Sequence, residues 1–389
     1  MRLLIVIPYY EPAWAYGGPP RLLSIIARAL AKRHQVTVCT TDVLDDTRRA
    51  TPLHETLGGV EIYRFPTWSN TLSWKTKIII PRHAKKILTD LIDQHDLVFL
   101  SDFRHWLNAV ITPILLQRHT PYVLAAFGQI QKPTDWKYPL KVIFDQLWGK
   151  RLIRHADLLI AQTEHEIKDY QTLGGRQQQM HLMPLLETAP TADELAQRGT
   201  FRKKYGIPPE TKIILFVGRI NKLKGIDVLL NCVVALDVTL VIVGRDDGYQ
   251  RQMNALIERL GLLHRVIQTG PLYGADNAAC YLDADYFVFT PTYYEETSLA
   301  TVRALSFGLP VITTPQAQLP WLDAYRAGYT VQNDAAAIID KLTEVLPNAI
   351  LRTELSTNAQ RLFSEHYERS RVIVELEHAI QTVIQHIQK

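Results

Sequence analysis

The chain has few cysteines and no long apolar run. Its three cysteines, Cys39, Cys232 and Cys280, are scattered through 389 residues. This pattern predicts no disulfide framework and indicates a reducing, cytoplasmic compartment. No run of about 18 apolar residues occurs, so the sequence predicts no membrane-spanning helix. The apolar start, residues 1–8, is too short for a signal peptide and lacks a small-residue cleavage site, so it is more typical of a first strand.

Several motifs of cofactor and metal chemistry are also absent. No two glycines are spaced Gly-x-Gly, which removes the dinucleotide fingerprint, and no Gly-Lys-Ser/Thr phosphate loop occurs. Neither His-Glu-x-x-His nor Cys-x-x-Cys is present, so no zinc site is indicated. Asp283-Ala284-Asp285 matches an Asp-x-Asp metal motif, but it directly precedes an apolar strand. We interpret it as the entry to that strand, and we expect neither a metal nor a cofactor.

The net charge of +4 hides a difference between the two halves of the chain. Residues 1–186 carry 23 Lys and Arg against 16 Asp and Glu, whereas residues 187–389 carry 20 against 23. A basic first half favours an anionic partner. We expect no nucleic acid, because no basic-aromatic binding module is present. Residues 68–86 and 136–151 mix aromatic, aliphatic and basic residues, which suits an anionic membrane surface. Core-packing helices with a solvated basic face would give the same pattern.

Strand-like and helical segments alternate along the whole chain. Its length exceeds what one hydrophobic core supports, and repeated βα units imply parallel sheets covered on both faces. We therefore predict an α/β protein with two doubly wound, Rossmann-like domains facing a central cleft, residues 1–186 and 187–365. A C-terminal helix, residues 366–389, is expected to pack back toward the first domain. The predicted strands are residues 3–9, 36–41, 60–65, 97–101, 122–126, 157–162, 181–184, 213–217, 240–243, 266–269, 286–290, 311–314 and 328–331.

The segment from Gly218 to Gly225 carries the strongest functional signal. It follows the apolar strand at residues 213–217, and a helical pattern begins directly after it. Arg219 and Lys224 therefore lie on a loop at the carboxyl end of a strand, which is where open α/β sheets bind ligands. Two cations beside glycines that let the backbone approach closely suit a diphosphate group. A solvated basic loop is the alternative interpretation.

A second signal follows the strand at residues 286–290. A helix is predicted at residues 299–307, with Thr297 or Ser298 as its N-cap. Its free amides and dipole favour an anion in the same crevice as the basic loop. Glu295, just outside the cap, could accept hydrogen bonds from ligand hydroxyls. The alternative is that Glu295 and Glu296 only complement the helix dipole.

The order of these parts resembles the family 4 glycosyltransferases of GT-B fold over nearly the whole chain. The motifs that carry the resemblance are Tyr9-Tyr10-Glu11-Pro12 with Gly17-Gly18, His34-Gln35-Val36-Thr37-Val38, Phe201-Arg202, Val217-Gly218-Arg219 with Lys224-Gly225, Val241-Ile242-Val243-Gly244, Ala284-Asp285, Tyr294-Glu295, and Ala304-Leu305-Ser306-Phe307-Gly308-Leu309-Pro310-Val311-Ile312. The resemblance implies a nucleotide-sugar donor, most often UDP-linked, in the second domain and the acceptor on the first. It also implies retention of anomeric configuration and no required metal.

The resemblance implies a role for each matching residue. Arg219 and Lys224 would grip the donor diphosphate, and Glu295 would bind hydroxyls of the donor sugar. The other donor-side positions that it implies are Gly17, Gly18, Gly218, Gly244, Leu272, Thr297, Ser298 and Leu299, mostly through main-chain groups.

The sequence departs from the family pattern at three places. A second glutamate usually follows the first by eight positions, where this chain has Arg303. Arginine has only donors, so ribose recognition must differ, and Arg303 either points toward phosphate or pairs with a nearby acid. Phe127 stands where a histidine often precedes Gly128, and Leu185-Leu186 replaces a frequent Asn-Gly. Arg104 and His105, after the strand at residues 97–101, are candidates for the acceptor side.

We therefore predict a retaining hexosyltransferase that uses a UDP-glucose-like donor and a glycan or lipid-linked glycan acceptor, as in envelope or exopolysaccharide synthesis. The protein would be cytoplasmic, with a peripheral position on the membrane. A catalytically silent, nucleotide-sugar-binding partner subunit is the alternative from another class. A hydrolase or epimerase of nucleotide sugars would need acid and base groups, for which Asp102 and His105 are the first-domain candidates.

Overall fold

The computed structural model describes residues 1–76, 78–131, 138–295 and 297–387. The chain divides into two compact units. The first comprises Met1–Met183 together with the C-terminal residues from Val372, and the second is Pro184–Arg371. The second unit thus begins three residues before the boundary that the sequence predicts.

The first unit is built on an eight-stranded sheet in the order β3-β4-β2-β1-β5-β6-β7-β8. Its strands are β1 (Arg2–Val6), β2 (Gln35–Thr41), β3 (His54–Leu57), β4 (Val60–Phe65), β5 (Leu97–Ser101), β6 (Tyr122–Ala125), β7 (Leu158–Ala161) and β8 (Met180–Leu182). Its helices are α1 (Gly18–Leu30), α2 (Asn70–Thr76), α3 (Ala84–Ile92), α4 (Trp106–Arg118), α5 (Tyr138–Phe144), α6 (Lys150–Arg154) and α7 (Glu164–Thr172).

One strand of this sheet is missing from the sequence prediction. β3 pairs antiparallel with β4, while the other neighbouring strands of the sheet run parallel. The hairpin between them turns at Gly58 and Gly59, whose φ angles are +61° and +82°. Two adjacent glycines with positive φ suit a tight hairpin. The strand itself has no apolar run and is mostly exposed, so no apolar pattern marks it in the sequence.

The second unit contains a six-stranded, fully parallel sheet in the order β11-β10-β9-β12-β13-β14. Its strands are β9 (Ile213–Val217), β10 (Thr239–Val243), β11 (Val266–Gly270), β12 (Tyr286–Phe289), β13 (Val311–Thr313) and β14 (Gly328–Thr330). Its helices are α8 (Ala192–Leu195), α9 (Thr200–Tyr205), α10 (Ile226–Ala235), α11 (Gln250–Arg259), α12 (Gly274–Asp283), α13 (Leu299–Ser306), α14 (Ala335–Val345) and α15 (Ala349–Leu362).

The last helix, α16 (Arg369–Ile387), is grouped with the first unit from Val372 onward. Its Glu377 carboxylate lies 2.7 Å from Nε2 of His34 and 2.5 Å from Nη2 of Arg33, both at the end of the turn that follows α1. The apolar side of α16 is buried, with Val372 and Leu376 fully inaccessible. No helix among the described residues is long and apolar enough to cross a bilayer.

The acidic pair Asp283 and Asp285 holds the base of the second sheet together. Asp283 accepts hydrogen bonds from the amides of Gly199 and Arg202 at 2.6 and 3.0 Å. Asp285 accepts from the amide of Ile213 at 2.9 Å and pairs with the guanidinium of Arg202 at 3.2 Å. Asp285 therefore ties the start of β9 to the residue before β12, whereas Asp283 binds amides at the start of α9.

Candidate functional site

Loops from three adjacent strands are joined at the carboxyl edge of the second sheet. β9 lies between β10 and β12. After β9, the amide of Gly218 donates to the Val243 carbonyl at 2.9 Å on the β10 side. On the β12 side, the amide of Thr292 donates to the Leu223 carbonyl at 2.9 Å. The loop that carries the predicted cations is thus tied on both sides, at the edge where such sheets bind ligands.

Lys224 and Glu295 meet at this edge. Nζ of Lys224 forms a direct ion pair with Oε1 of Glu295 and lies 5.5 Å from the centre of the Phe289 ring. The Lys224 side chain is only 12% exposed, whereas that of Glu295 is 31% exposed. The amide of Glu295 donates to the Gln316 carbonyl at 2.8 Å, which fixes the backbone beside the carboxylate. The fold therefore brings a shielded ammonium and a more open carboxylate together.

Arg219, from the same loop, pairs with an acid that the sequence analysis missed. Its Nη1 lies 2.7 Å from Oδ2 of Asp247, and Nδ2 of Asn221 donates to the same oxygen at 3.1 Å. The Arg219 side chain is 56% exposed, so its guanidinium remains accessible. A signal for Asp247 was present, because it follows β10 just as Arg219 follows β9. An anionic ligand at this edge would compete with Asp247 for the guanidinium.

Gly244 is needed for close packing between the loops that follow β9 and β10. A Cβ on Gly244 would lie 1.8 Å from the Gly218 carbonyl oxygen, so no side chain fits there. The amide of Gly244 donates to the Gly270 carbonyl at 3.0 Å, which joins the exits of β10 and β11. Leu272, predicted near the donor base, lies half-buried in the loop after β11. Close backbone approach therefore explains Gly244 without a ligand, whereas a Cβ on Gly218 would meet only the Phe216 ring, at 3.2 Å.

Helix α13 starts where the sequence predicts, and its N-cap residue is one of the two that the sequence predicts. Ser298 occupies the N-cap position, and its side chain makes no capping hydrogen bond. The hydroxyl of Thr297 is also used elsewhere, since it donates to the Gln318 carbonyl at 2.6 Å. The predicted N-cap position is therefore confirmed at Ser298, although its hydroxyl makes no capping hydrogen bond. The backbone amides of Ser298 and Leu299 can therefore donate to a ligand at this sheet edge, where the helix dipole favours an anion.

Arg303 pairs with acids, the second of the two roles left open by the sequence. Its Nη2 lies 2.6 Å from Oε1 of Glu194, and its Nε donates to Oδ1 of Asn277 at 3.0 Å. The guanidinium also lies 5.1 Å from the centre of the Phe307 ring, and Glu187 is 3.8 Å away. Arg303 thus links α13 to α12 and α8. Glu194 lies 109 positions from Arg303, so no spacing pattern indicates this pair.

Replacing Arg303 by glutamate should destabilise the protein by about 1–3 kcal/mol, because charge-assisted hydrogen bonds are lost and carboxylates are brought together. Urea unfolding measures the change. Adding Glu194→Lys to Arg303→Glu should restore part of the loss, since the two charges are then exchanged. Wild-type stability of the single variant would show that this ion pair contributes nothing to the fold.

Gly17 and Gly18 lie at the carboxyl edge of the first sheet, after β1. Gly17 has φ +98°, a value that favours glycine, and precedes α1, whose first turn contains Pro19 and Pro20. Proline is accepted in a first turn because its missing amide proton has no partner there. The helix accordingly begins at Gly18. No side-chain hydrogen bond caps this N-terminus.

Arg104 and His105, predicted for the acceptor side, are held inside the first unit. Nε of Arg104 lies 2.9 Å from Oδ1 of Asp145, and Arg104 also donates to the Ile130 carbonyl at 2.8 Å. Nε2 of His105 lies 3.1 Å from the Ser101 carbonyl, and burial lowers the pKa of His105 to about 3. Each side chain is only 9% exposed. Polar contacts therefore hold both side chains inside the first unit, and their contribution to the acceptor side stays a prediction.

Two non-glycine residues with positive φ follow the neighbouring strands β5 and β6. Asp102, after β5, has φ +65°, and Phe127, after β6, has φ +49°. Such angles are uncommon outside glycine and concentrate at functional edges. Asp102 is 1% exposed, and this burial raises its pKa to about 7, partly opposed by a hydrogen bond from Gln129. The sequence could suggest Asp102 only by its place after a strand.

The raised pKa of Asp102 gives a signed pH dependence of stability. The folded protein keeps the Asp102 proton up to about pH 7, whereas the usual value is 3.8. The contribution of protonated Asp102 to the free energy of unfolding is therefore fully present below pH 3.8 and is lost as the pH rises through 7. Asp102→Asn should remove this loss. The difference in unfolding free energy between the variant and wild type should therefore grow, in favour of the variant, by about 2–3 kcal/mol from pH 5 to pH 8.

Urea unfolding of both proteins at pH 5, 6, 7 and 8 tests this prediction. His105 acts in the opposite direction, since its lowered pKa of about 3 makes stability fall as the pH drops below its usual range. Its contribution is present in both proteins and cancels in the difference. Parallel pH profiles of wild type and Asp102→Asn would contradict the assignment.

The two units and this site define a class of protein. A shielded lysine, an accessible arginine and helix amides at one sheet edge suit a diphosphate, and the Glu295 carboxylate can accept hydrogen bonds from hydroxyls. Both parallel-sheet α/β units are those of a glycosyltransferase of GT-B fold, which confirms the predicted fold class. The model of the group 1 glycosyl transferases matches residues 197–362, and a glycosyl transferase 4-like domain matches residues 17–185. The chain belongs to the family 4 glycosyltransferases.

Known relatives agree with this assignment. A D-inositol 3-phosphate glycosyltransferase from Xylanimonas cellulosilytica is 28% identical over 292 residues, covering 72% of this chain and 68% of that protein. One of the same name from Corynebacterium jeikeium is 28% identical, and the match spans about half of each chain, 54% of both. Among solved structures, Anabaena HepE in complex with UDP superposes with a TM-score of 0.78 at 17% identity, covering 98% of this chain and all of that one. HepE has also been solved with UDP-glucose, at a TM-score of 0.75.

Proposed function

We propose that this protein transfers a hexose from a UDP-sugar to a glycan or lipid-linked glycan, with retention of anomeric configuration and without a metal ion. The observation that carries the proposal is the Lys224–Glu295 pair beside Arg219 at the carboxyl edge of the second sheet. A nucleotide sugar combines the two chemistries that this pair suits. Its diphosphate can pair with the cations, and its sugar hydroxyls can donate hydrogen bonds to the carboxylate.

The proposed mechanism follows from the leaving group. Negative charge builds on the nucleoside diphosphate as the bond to the anomeric carbon breaks. Fixed cations that meet this charge stabilise the transition state more than the ground state. Lys224 supplies a shielded charge, Arg219 an accessible one, and the amides at the start of α13 supply a partial positive charge. Glu295 orients the sugar through its hydroxyls while its partner Lys224 turns to the diphosphate.

The relatives support the donor more than the acceptor. HepE has been solved with UDP and with UDP-glucose, which favours a UDP-hexose. The curated relatives carry the name D-inositol 3-phosphate glycosyltransferase. A phosphorylated cyclitol therefore joins the glycan and the lipid-linked glycan as an acceptor to be tested. Envelope or exopolysaccharide synthesis remains part of the proposal for the glycan acceptors.

A catalytically silent, donor-binding subunit is the second candidate. Arg303 stands where the family usually has a glutamate and is tied to Glu194, and Phe127 stands where a histidine is frequent. Both changes remove groups that could contact the donor. The retention of Arg219, Lys224 and Glu295 at one sheet edge favours the active enzyme.

Release of nucleoside diphosphate from UDP-, GDP- and ADP-glucose tests the proposal. Each donor is offered with a lipid-linked oligosaccharide extract, with an inositol phosphate, and alone, beside Lys224→Ala. Release from one donor that Lys224→Ala abolishes supports the transferase and identifies the donor, and proton NMR of the product gives the anomeric outcome. Thermal stabilisation by a donor without any release would assign the silent subunit instead.

A further inference from the structure

Residues 138–154 of the first unit present an unusual outer face. They form α5, a wide turn of π-helical geometry at Asp145–Gly149, and α6. Leu140, Ile143 and Leu147 are exposed by 49%, 52% and 53%. Their spacing of three and four residues places them in one stripe on a helix. A surface helix normally turns such a stripe inward, so this one is open to a partner.

The inward side of the same segment is already occupied. Asp145 is 1% exposed and holds the guanidinium of Arg104, while Leu152 and Ile153 are buried in the core of the first unit. The wide turn falls at Asp145, where the helix reaches toward Arg104. The apolar stripe is therefore a second apolar side of the segment, separate from the one that packs against the sheet.

Apart from one buried acid, the charged residues of this segment are all basic. Its basic residues are Lys141, Lys150, Arg151 and Arg154, of which Arg151 and Arg154 are exposed. Its one acidic residue, Asp145, is buried and paired. An exposed aliphatic stripe beside basic side chains matches a surface that offers apolar depth and negative headgroups together. A protein interface would instead deplete charge around its apolar centre.

We propose that the outer face of residues 138–154, with Leu140, Ile143 and Leu147 at its centre, docks on an anionic lipid bilayer. The aliphatic side chains enter the headgroup boundary, and Lys150, Arg151 and Arg154 contact the anionic headgroups. This face lies within the basic region for which the sequence predicts membrane contact. In the other predicted segment, residues 68–86, Trp68 is 73% exposed and its ring is flanked by Arg82 at 5.8 Å.

Vesicle co-sedimentation of the full chain tests this docking. Vesicles of phosphatidylcholine alone are compared with vesicles that contain about a third phosphatidylglycerol, at low and high salt. Binding should require the anionic lipid and should fall as salt rises, since screening weakens contacts between exposed charges. The triple variant Leu140→Gln, Ile143→Gln, Leu147→Gln should bind the anionic vesicles on the order of tenfold more weakly, because apolar burial is lost.

A matched control removes the same number of exposed aliphatic side chains elsewhere. Leu195, Leu263 and Ile350 of the second unit are 48%, 62% and 85% exposed. Their triple replacement by glutamine should leave vesicle binding unchanged. Equal binding by the 140/143/147 variant, equal binding to neutral vesicles, or no binding at all would overturn the proposal. So would a dimer in light scattering that the 140/143/147 variant abolishes, because it would assign the face to a second copy.

The outcome does not depend on the proposed function. Nucleoside diphosphate release with a water-soluble acceptor reports on the donor edge, and the 140/143/147 variant should retain it. Loss of vesicle binding with unchanged release would support docking on its own. Loss of release in both proteins would bear on the transferase proposal alone.

Discussion

Replacing Lys224 by alanine is expected to lower kcat for hexose transfer by about 10²–10³-fold, the usual cost of losing one electrostatic donor at a leaving group. The Lys224 side chain is 12% exposed, packs beside the Phe289 ring and is paired with Glu295. Shielding from water strengthens its interaction with the departing diphosphate. Initial rates of nucleoside diphosphate release at saturating donor measure the effect.

The neighbouring Lys222 provides a matched control. It belongs to the same turn, Lys222–Lys224, but its side chain is exposed. Lys222→Ala should change kcat by no more than about twofold, because an exposed charge is largely screened. Lys224→Arg should retain part of the activity, since it keeps the charge but alters the geometry. Equal rates for Lys222→Ala and Lys224→Ala would remove Lys224 from the chemistry.

The fold was predictable because it depends on local patterns. Buried parallel strands read as apolar runs, and the predicted bounds of β4 (Val60–Phe65), β5 (Leu97–Ser101) and β9 (Ile213–Val217) agree with the structure to the residue. β3 (His54–Leu57) was missed, because an exposed edge strand needs no apolar run. The two glycines of its hairpin do indicate a turn, but they are independent of the apolar pattern on which the strand predictions rest.

The site was predictable only as a set of loops. The rule that ligands bind at the carboxyl edge of a parallel sheet located Arg219, Lys224 and Glu295 without any knowledge of their partners. The pair of Arg219 with Asp247 spans 28 positions and depends on how two neighbouring loops cross. No spacing rule contains that information.

Roles inferred from residue type alone were the least secure. Gly244 was predicted as a donor contact, yet its missing side chain is explained by the Gly218 carbonyl oxygen 1.8 Å from where a Cβ would lie. His105 has the chemistry of an acceptor-side residue, but it is buried against the Ser101 carbonyl. In both cases the residue type fits two roles, and only the surroundings distinguish them.

Gly225→Ala is expected to destabilise the protein by about 3 kcal/mol or more and to abolish hexose transfer. Gly225 follows Lys224 with φ +68°, and a Cβ there would lie 1.7 Å from the Thr290 carbonyl oxygen. A backbone oxygen cannot rotate away, so the loops after β9 and β12 would have to separate. Urea unfolding and nucleoside diphosphate release measure the two effects.

Gly206→Ala separates the crowding from the backbone strain. Gly206 has φ +65°, nearly the same as Gly225, but no atom lies within 4 Å of where its Cβ would be. Its replacement should cost only the left-handed conformation, about 1–2 kcal/mol, and should leave activity intact. Equal losses for both variants would mean that the two loops part without penalty. In that case the contact between the loops could not be what holds Lys224 against Glu295, and the pair would have to form on binding the donor.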